Sequence, residues 1–176
     1  MRLWFALHAL ALVLGGLCLT GCGTDYCWRS SVPKDVRTVS VPTFRNESDV
    51  MELGVIASRQ ILREFQREGT FRICATGDAA LEVQGVVKSA NSAMDAYDRR
   101  SVQRYGTYAF TANVEVSVID KRTGKVLVDN RRFEASASYT SGSDYTTSQR
   151  DASGRLAEDL ARQVVDCVLG IKWEGL

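Results

Sequence analysis

Arg99, Arg100 and Arg104 crowd one short stretch between Tyr97 and Tyr105. Guanidinium groups hold phosphate oxygens through paired N–H donors, so this cluster is the chain's best candidate for binding a phosphorylated ligand. The competing reading is a solvated loop whose charge Asp95 and Asp98 balance. Lys121, Arg122 and Lys125 form a second basic group, but lysines at turns and strand edges ordinarily keep strands soluble. Glu64 and Glu68 stand at i,i+4 spacing; as a carboxylate pair they evoke acid–base catalysis, yet such pairs usually share a solvated helix face. Ser141-Gly142-Ser143 lacks the strand–turn–helix context of a nucleophile elbow. The single histidine, His8, lies in the apolar N-terminal segment. Beyond it no imidazole is left for Ser-His-Asp or Cys-His nucleophiles or for most zinc sites. No Gly-rich phosphate loop follows a strand and no CxxC occurs, so neither a cofactor nor a metal is expected.

The cysteines point to a different chemistry. The run Leu3–Leu19 is apolar, preceded by Arg2 and closed by Leu19-Thr20-Gly21-Cys22. Spanning a bilayer takes roughly 20 apolar residues, and this run is shorter and is interrupted by His8 and Gly15-Gly16. Its layout is that of a secretory signal peptide. Leu-Thr-Gly-Cys has the form of a bacterial lipobox, in which the Cys22 thiol takes a diacylglycerol and cleavage leaves Cys22 first. A plain signal peptide with an incidental cysteine is the alternative. Several acyl chains on one N-terminus anchor a protein stably where one is marginal. Gly23 rather than aspartate follows the cysteine, which favours the outer membrane. In an exported chain disulfides persist, and Cys27, Cys74 and Cys167 permit one bridge with one thiol left over; small buried hydrophobes are the other reading.

The organisation expected is a signal peptide over 1–21, a lipidated N-terminus and linker over 22–34, and one domain over 35–176. Only Arg2 among the 22 basic residues lies in the leader, leaving 21 against 21 acidic side chains. That balance is unlike a nucleic-acid binder.

The elements that position these residues follow from periodicity. Val36, Val39 and Val41 with Thr38 and Thr43 read as a strand that Pro42 ends or places at an edge. Leu53, Ile56, Ile61, Leu62 and Phe65 share a helical face that Gly69 terminates. Phe71–Cys74 is a short extended piece, and Leu81, Val83 and Val87 alternate with polar residues as a strand near 80–88. Ser89 to Arg104 is polar and aperiodic and reads as a long loop. Tyr108, Phe110, Ala112, Val114, Val116 and Val118 alternate with Thr107, Thr111, Asn113, Glu115 and Ser117; they pair across Lys121–Gly124 with Leu127, Phe133, Ala135, Ala137 and Tyr139. This is an antiparallel hairpin with one wetted face. Leu156, Leu160, Val164, Cys167 and Ile171 give a last helix from about Asp151 to Leu169. The order β-α-β-β-β-α makes an α+β two-layer sandwich, a mixed four-stranded sheet with two helices on one face. Its other face would be polar and open to a partner.

A family resemblance rests on these segments taken in order. Behind the lipobox come Tyr26, then Val36 to Ser48 (VRTVSVPTFRNES), Arg63-Glu64-Phe65, Asp78 to Gly85 (DAALEVQG), Asp120 to Leu127 (DKRTGKVL), Leu156 to Ala161 (LAEDLA) and Trp173. In order and spacing the chain resembles the LptE family of lipopolysaccharide-assembly lipoproteins. The resemblance implies a non-enzymatic protein at the periplasmic face of the outer membrane, held by its lipid. It would plug the LptD β-barrel, assist its assembly and engage lipopolysaccharide. Cys27, Cys74 and Cys167 depart from the family pattern. The start VSVPTFRNES also looks like lipoproteins that activate a peptidoglycan synthase or build a secretion channel. A hydrolase using carboxylates alone is the third class.

Overall fold

A computed structural model describes residues 32–97, 106–141 and 145–173. A 3-10 turn, Lys34–Val36, leads into β1 (Thr38–Ser40) and β2 (Arg45–Asn46); helix α1 (Leu53–Glu68) and β3 (Arg72–Ile73) follow. Then come three long strands, β4 (Leu81–Tyr97), β5 (Gly106–Asp120) and β6 (Lys125–Ser141), and helix α2 (Tyr145–Leu169). The sheet has six strands in the order β3-β1-β4-β5-β6, with β2 also on β4. β1 runs parallel to β3 and β4, β2 runs parallel to β4, and β4-β5-β6 is antiparallel.

The expected α+β class therefore holds, but the sheet is larger than four strands. The N-terminal strand expected across 36–43 is shorter, Thr38–Ser40, with Val36 in the 3-10 turn; its pairing ends before Pro42, which supplies no ladder N–H, and a separate strand, β2, follows at Arg45–Asn46. The loop expected over 89–104 is also corrected. Ser89–Tyr97 continues β4, paired from Ser89↔Asn113 to Tyr97↔Gly106. Helix α2 begins at Tyr145, ahead of the Asp151 expected.

Burial follows the strand period. Phe110, Ala112, Val114, Val116 and Val118 of β5 and Phe133, Ala135 and Tyr139 of β6 are buried, while the residues between them are not. The helices cover that apolar face. Leu53, Ala57, Ile61 and Phe65 form the buried stripe of α1, and Leu156, Leu160, Val164 and Val168 that of α2. Each fully buried Val, Leu, Ile or Phe among them contributes about 1.5–3 kcal/mol. Phe65 meets Phe71 edge-on, centroids 5.4 Å apart.

Phe44 is the wedge at the N-terminal corner. It is buried, and two glycines make room for it. A Cβ on Gly54 would lie 2.4 Å from the Phe44 carbonyl oxygen, and one on Gly85 would lie 2.2 Å from the Phe44 ring. Helix α1 thus starts against the backbone of the segment after β1, and the ring occupies the space over Gly85 that a β4 side chain would fill.

Candidate functional site

The feature that dominates the molecule is the ribbon β4-β5-β6. Strand β5 alone has 15 residues, about 50 Å at 3.4 Å per residue. One face of the ribbon carries no helix. On β5 it presents Thr107, Ala109, Thr111, Asn113, Glu115 and Ser117, all half-buried. Their partners across the register are Gln84, Val86, Ser89, Asn91, Ala93 and Ala96 of β4 and Arg132, Glu134, Ser136, Ser138 and Thr140 of β6. Asn113 donates from Nδ2 to Ser89 Oγ at 3.3 Å, and Arg132 pairs with Glu115 at 3.1 Å. Ser117 Oγ accepts from the Asn130 N–H at 3.0 Å and donates to Asn130 Oδ1 at 3.3 Å. Asn130 has φ 41° where the β5–β6 register shifts. A concavity of about 330 Å³ opens beside β2, lined by Arg45, Gln84, Glu115, Ser117 and Asn130 among others. Small hydroxyls and alanines predominate on this face, so little side-chain entropy is lost when a flat surface docks on it.

The outer edge of β6 is sealed by α2. Arg155 Nη2 donates to Ser138 O at 2.8 Å and Gln163 Nε2 to Glu134 O at 3.0 Å. Nearby, Arg131 donates to Cys167 Sγ at 3.2 Å and lies over the Phe133 ring, 5.4 Å from its centroid. Carbonyls that would invite another strand are thereby occupied. No sequence motif announces these bonds; only the spacing of Arg155 and Gln163 on one helical face hints at them.

The other end of the ribbon is its base. Asp120 is fully buried. Its carboxylate accepts from the Arg122 backbone N–H at 2.9 Å and from Nε and Nη2 at 3.3 and 3.1 Å. Burial pushes this carboxyl up, but the Arg122 bonds outweigh that and hold it below its ordinary value. Arg122 also bonds Asp35 in the 3-10 turn. Lys121 Nζ reaches Glu82 Oε2 and Thr76 O, both at 2.9 Å. Bonds from Gln84 and Lys121, against burial, lower the Glu82 carboxyl. The hairpin turn thus clasps the segment by which the chain enters the fold. Val32 and Val36 are buried there, and Arg37 donates from Nε and Nη2 to Val32 O at 3.1 and 3.0 Å. Lys121 and Arg122 are therefore structural clamps rather than simple solubilising charges.

The other expected residues are distributed as follows. Cys22, Cys27 and the arginines Arg99, Arg100 and Arg104 lie outside the described residues. The arginines belong to segment 98–105, which joins Tyr97 of β4 to Gly106 of β5. Among the described residues Cys74 and Cys167 are free, each partly buried. Glu64 pairs with Arg67 on the α1 surface, and Glu68 accepts from the Thr70 N–H and hydroxyl. The two carboxylates thus have separate partners. Among the described residues no three His, Cys, Asp or Glu side chains gather as a metal would need, and no helix is long and apolar enough to cross a membrane.

Comparison with known proteins adds the following. No curated protein sequence matches the chain significantly. A hypothetical protein from Chlamydia trachomatis has a similar structure, with a TM-score of 0.56, 16% identity, and 77% of this chain and 97% of that one covered. A protein from Xanthomonas campestris superposes with a TM-score of 0.50 at 10% identity, over 76% of this chain and 83% of that one. At such identities the likeness extends to the fold alone. The family model described as LptE, lipopolysaccharide-assembly, matches residues 36–167, which takes in the whole β4-β5-β6 ribbon and most of both helices. The chain belongs to the LptE family of lipopolysaccharide-assembly proteins.

Proposed function

We propose that this chain is an outer-membrane lipoprotein that plugs the LptD β-barrel, helps it assemble, and takes part in moving lipopolysaccharide to the cell surface. The observation that carries this reading is the family match over residues 36–167. Physical features support it. A ribbon of about 50 Å exceeds the 40–45 Å thickness of a bilayer with its headgroups, so a body built on it suits the lumen of a large barrel. The uncovered face is polar and made of small side chains, which matches the polar interior of such barrels. Acylation at Cys22 would hold the protein to the membrane at its periplasmic face. Arg99, Arg100 and Arg104, joining β4 to β5, would offer guanidinium forks to lipopolysaccharide phosphates. No catalytic step is part of this function.

The test is capture in living cells. A photo-crosslinker at Thr111 or Ser136 should trap a large β-barrel protein, and depletion of the chain should reduce lipopolysaccharide at the cell surface. Capture of a penicillin-binding protein or a secretion channel, with surface lipopolysaccharide unchanged, would replace this reading with the runner-up.

A further inference from the structure

The base of the molecule holds a feature that the proposed function leaves unused. Lys34, Arg37 and Arg72 line one open concavity of about 670 Å³, together with Thr38, Gln66 and Thr70. The backbone draws them together. Thr38 of β1 is the register partner of Arg72 of β3, and the Arg72 N–H donates to Arg37 O at 2.7 Å. Among the described residues none of the three cations has an ion-pair partner. The acids flanking them are engaged elsewhere, Asp35 by Arg122 and Glu68 by Thr70. Arg37 directs two donors to Val32 O and keeps the rest of its five. Three unpaired cations with hydroxyl and amide donors in one concavity make a site for an anion, and phosphate suits the guanidinium fork.

We propose that this concavity seats the phosphate headgroup of an anionic phospholipid in the leaflet that holds the N-terminal anchor. The course of the chain argues for that source. Val32 follows Cys22 by ten residue steps, from position 22 to position 32, so it stays within about 36 Å of the anchored residue. Arg37, which fixes Val32, also lines the concavity. The site therefore lies beside the first described residue after Cys22, within reach of the lipid surface. This inference rests on the tethered reading of Cys22 above.

The test uses the native protein reconstituted with phosphatidylcholine vesicles, with or without phosphatidylglycerol. Flotation is measured first, then amine labelling of Lys34 by mass spectrometry, with Lys88 on β4 as internal control. Lys34 labelling should slow severalfold with phosphatidylglycerol while Lys88 labelling is unchanged. Among the described residues the exposed Arg72 side chain makes no hydrogen bond or ion pair, so Arg72→Gln should keep the fold. It should undo the protection by about fivefold, the share of one surface cation. Floating with both vesicle types but equal Lys34 labelling overturns the inference alone, as does protection that Arg72→Gln leaves intact. Equal protection by inorganic phosphate on neutral vesicles marks a free-phosphate site and overturns the lipid source. Failure to float with neutral vesicles removes the tether, and the inference with it.

Discussion

Replacing Gly85 with alanine tests the wedge at the N-terminal corner. The added methyl would stand 2.2–2.5 Å from three atoms of the Phe44 ring, so the ring must shift. Phe44 is 3% exposed and has little room to do so. Overpacking of this kind costs about 1–3 kcal/mol, from which a gain of about 0.5–1 kcal/mol for removing a strand glycine is subtracted. A net loss of about 1 kcal/mol is expected, or about 2–4 °C in Tm for a chain of this size. Phe44→Ala alone should cost about 3–5 kcal/mol through lost burial and the cavity left behind. The two changes should not add. With the ring gone the methyl introduced by Gly85→Ala enters vacated space, so the double variant should be at least about 1 kcal/mol more stable than the sum predicts. Urea unfolding of the four proteins measures this, provided the m-value stays constant. Additive losses within about 0.5 kcal/mol would mean that ring and glycine do not meet, and would refute the account of why glycine stands at 85.

Three further outcomes are expected, two from the structure and one from the proposed lipidation of Cys22. Arg122→Ala should destabilise by about 2 kcal/mol, because it leaves the buried Asp120 short of donors. The Asp120 carboxyl is held below its ordinary value, so its stabilisation is fully present above about pH 4 and is lost as pH falls through the lowered value. Denaturation midpoints of wild type and Arg122→Ala should therefore converge below that pH, and a gap constant down to pH 2 would contradict the clamp. Thr111→Arg on the open ribbon face should change stability by no more than about 0.5 kcal/mol yet lower capture of the proposed barrel partner in cells; unchanged capture would exclude this face from the proposed interface. Cys22→Ser should abolish incorporation of labelled fatty acid and move the protein out of the membrane fraction, as cell fractionation would show.

Much of the fold was legible because one face of most elements is apolar at the right period. Leu53 through Phe65 and Phe110 through Val118 declare a helix and a strand without ambiguity. The distal half of β4 did not, for a physical reason. Beyond Val87 its described side chains are mainly small or polar, with Ala90 only partly buried and Met94 exposed. Extra residues at Lys88 and Asp95 also break the alternation that marks a strand. Pro42 was legible as the end of the first strand, whereas the brief pairing of Arg45 and Asn46 with β4 was not, because two polar residues carry no strand period. Of the site, the polar ribbon face could be read from Thr111, Asn113, Glu115 and Ser117. The basic group at the hairpin turn was visible, but its role was not, because Arg122 takes on that role only by meeting Asp120 and Asp35, which no local pattern records. Arg72 is far enough from Lys34 and Arg37 in sequence that only the parallel pairing of β1 with β3 reveals it as their neighbour.

The ribbon also works as a graduated measure of distance. Each residue added to a strand extends its tip by about 3.4 Å but turns every later side chain to the opposite face. Matched two-residue insertions in β5 and β6 would lengthen reach in increments of about 7 Å with inside and outside preserved. Strand β4 has another freedom, since its two unpaired extra residues, Lys88 and Asp95, absorb odd-numbered changes and together return the phase. The β5–β6 register shifts near Asn130 and Leu127 give β6 the same freedom at its base, so length variation among homologous chains should come in even steps on β5, with odd steps tolerated where β4 and β6 carry their extra residues.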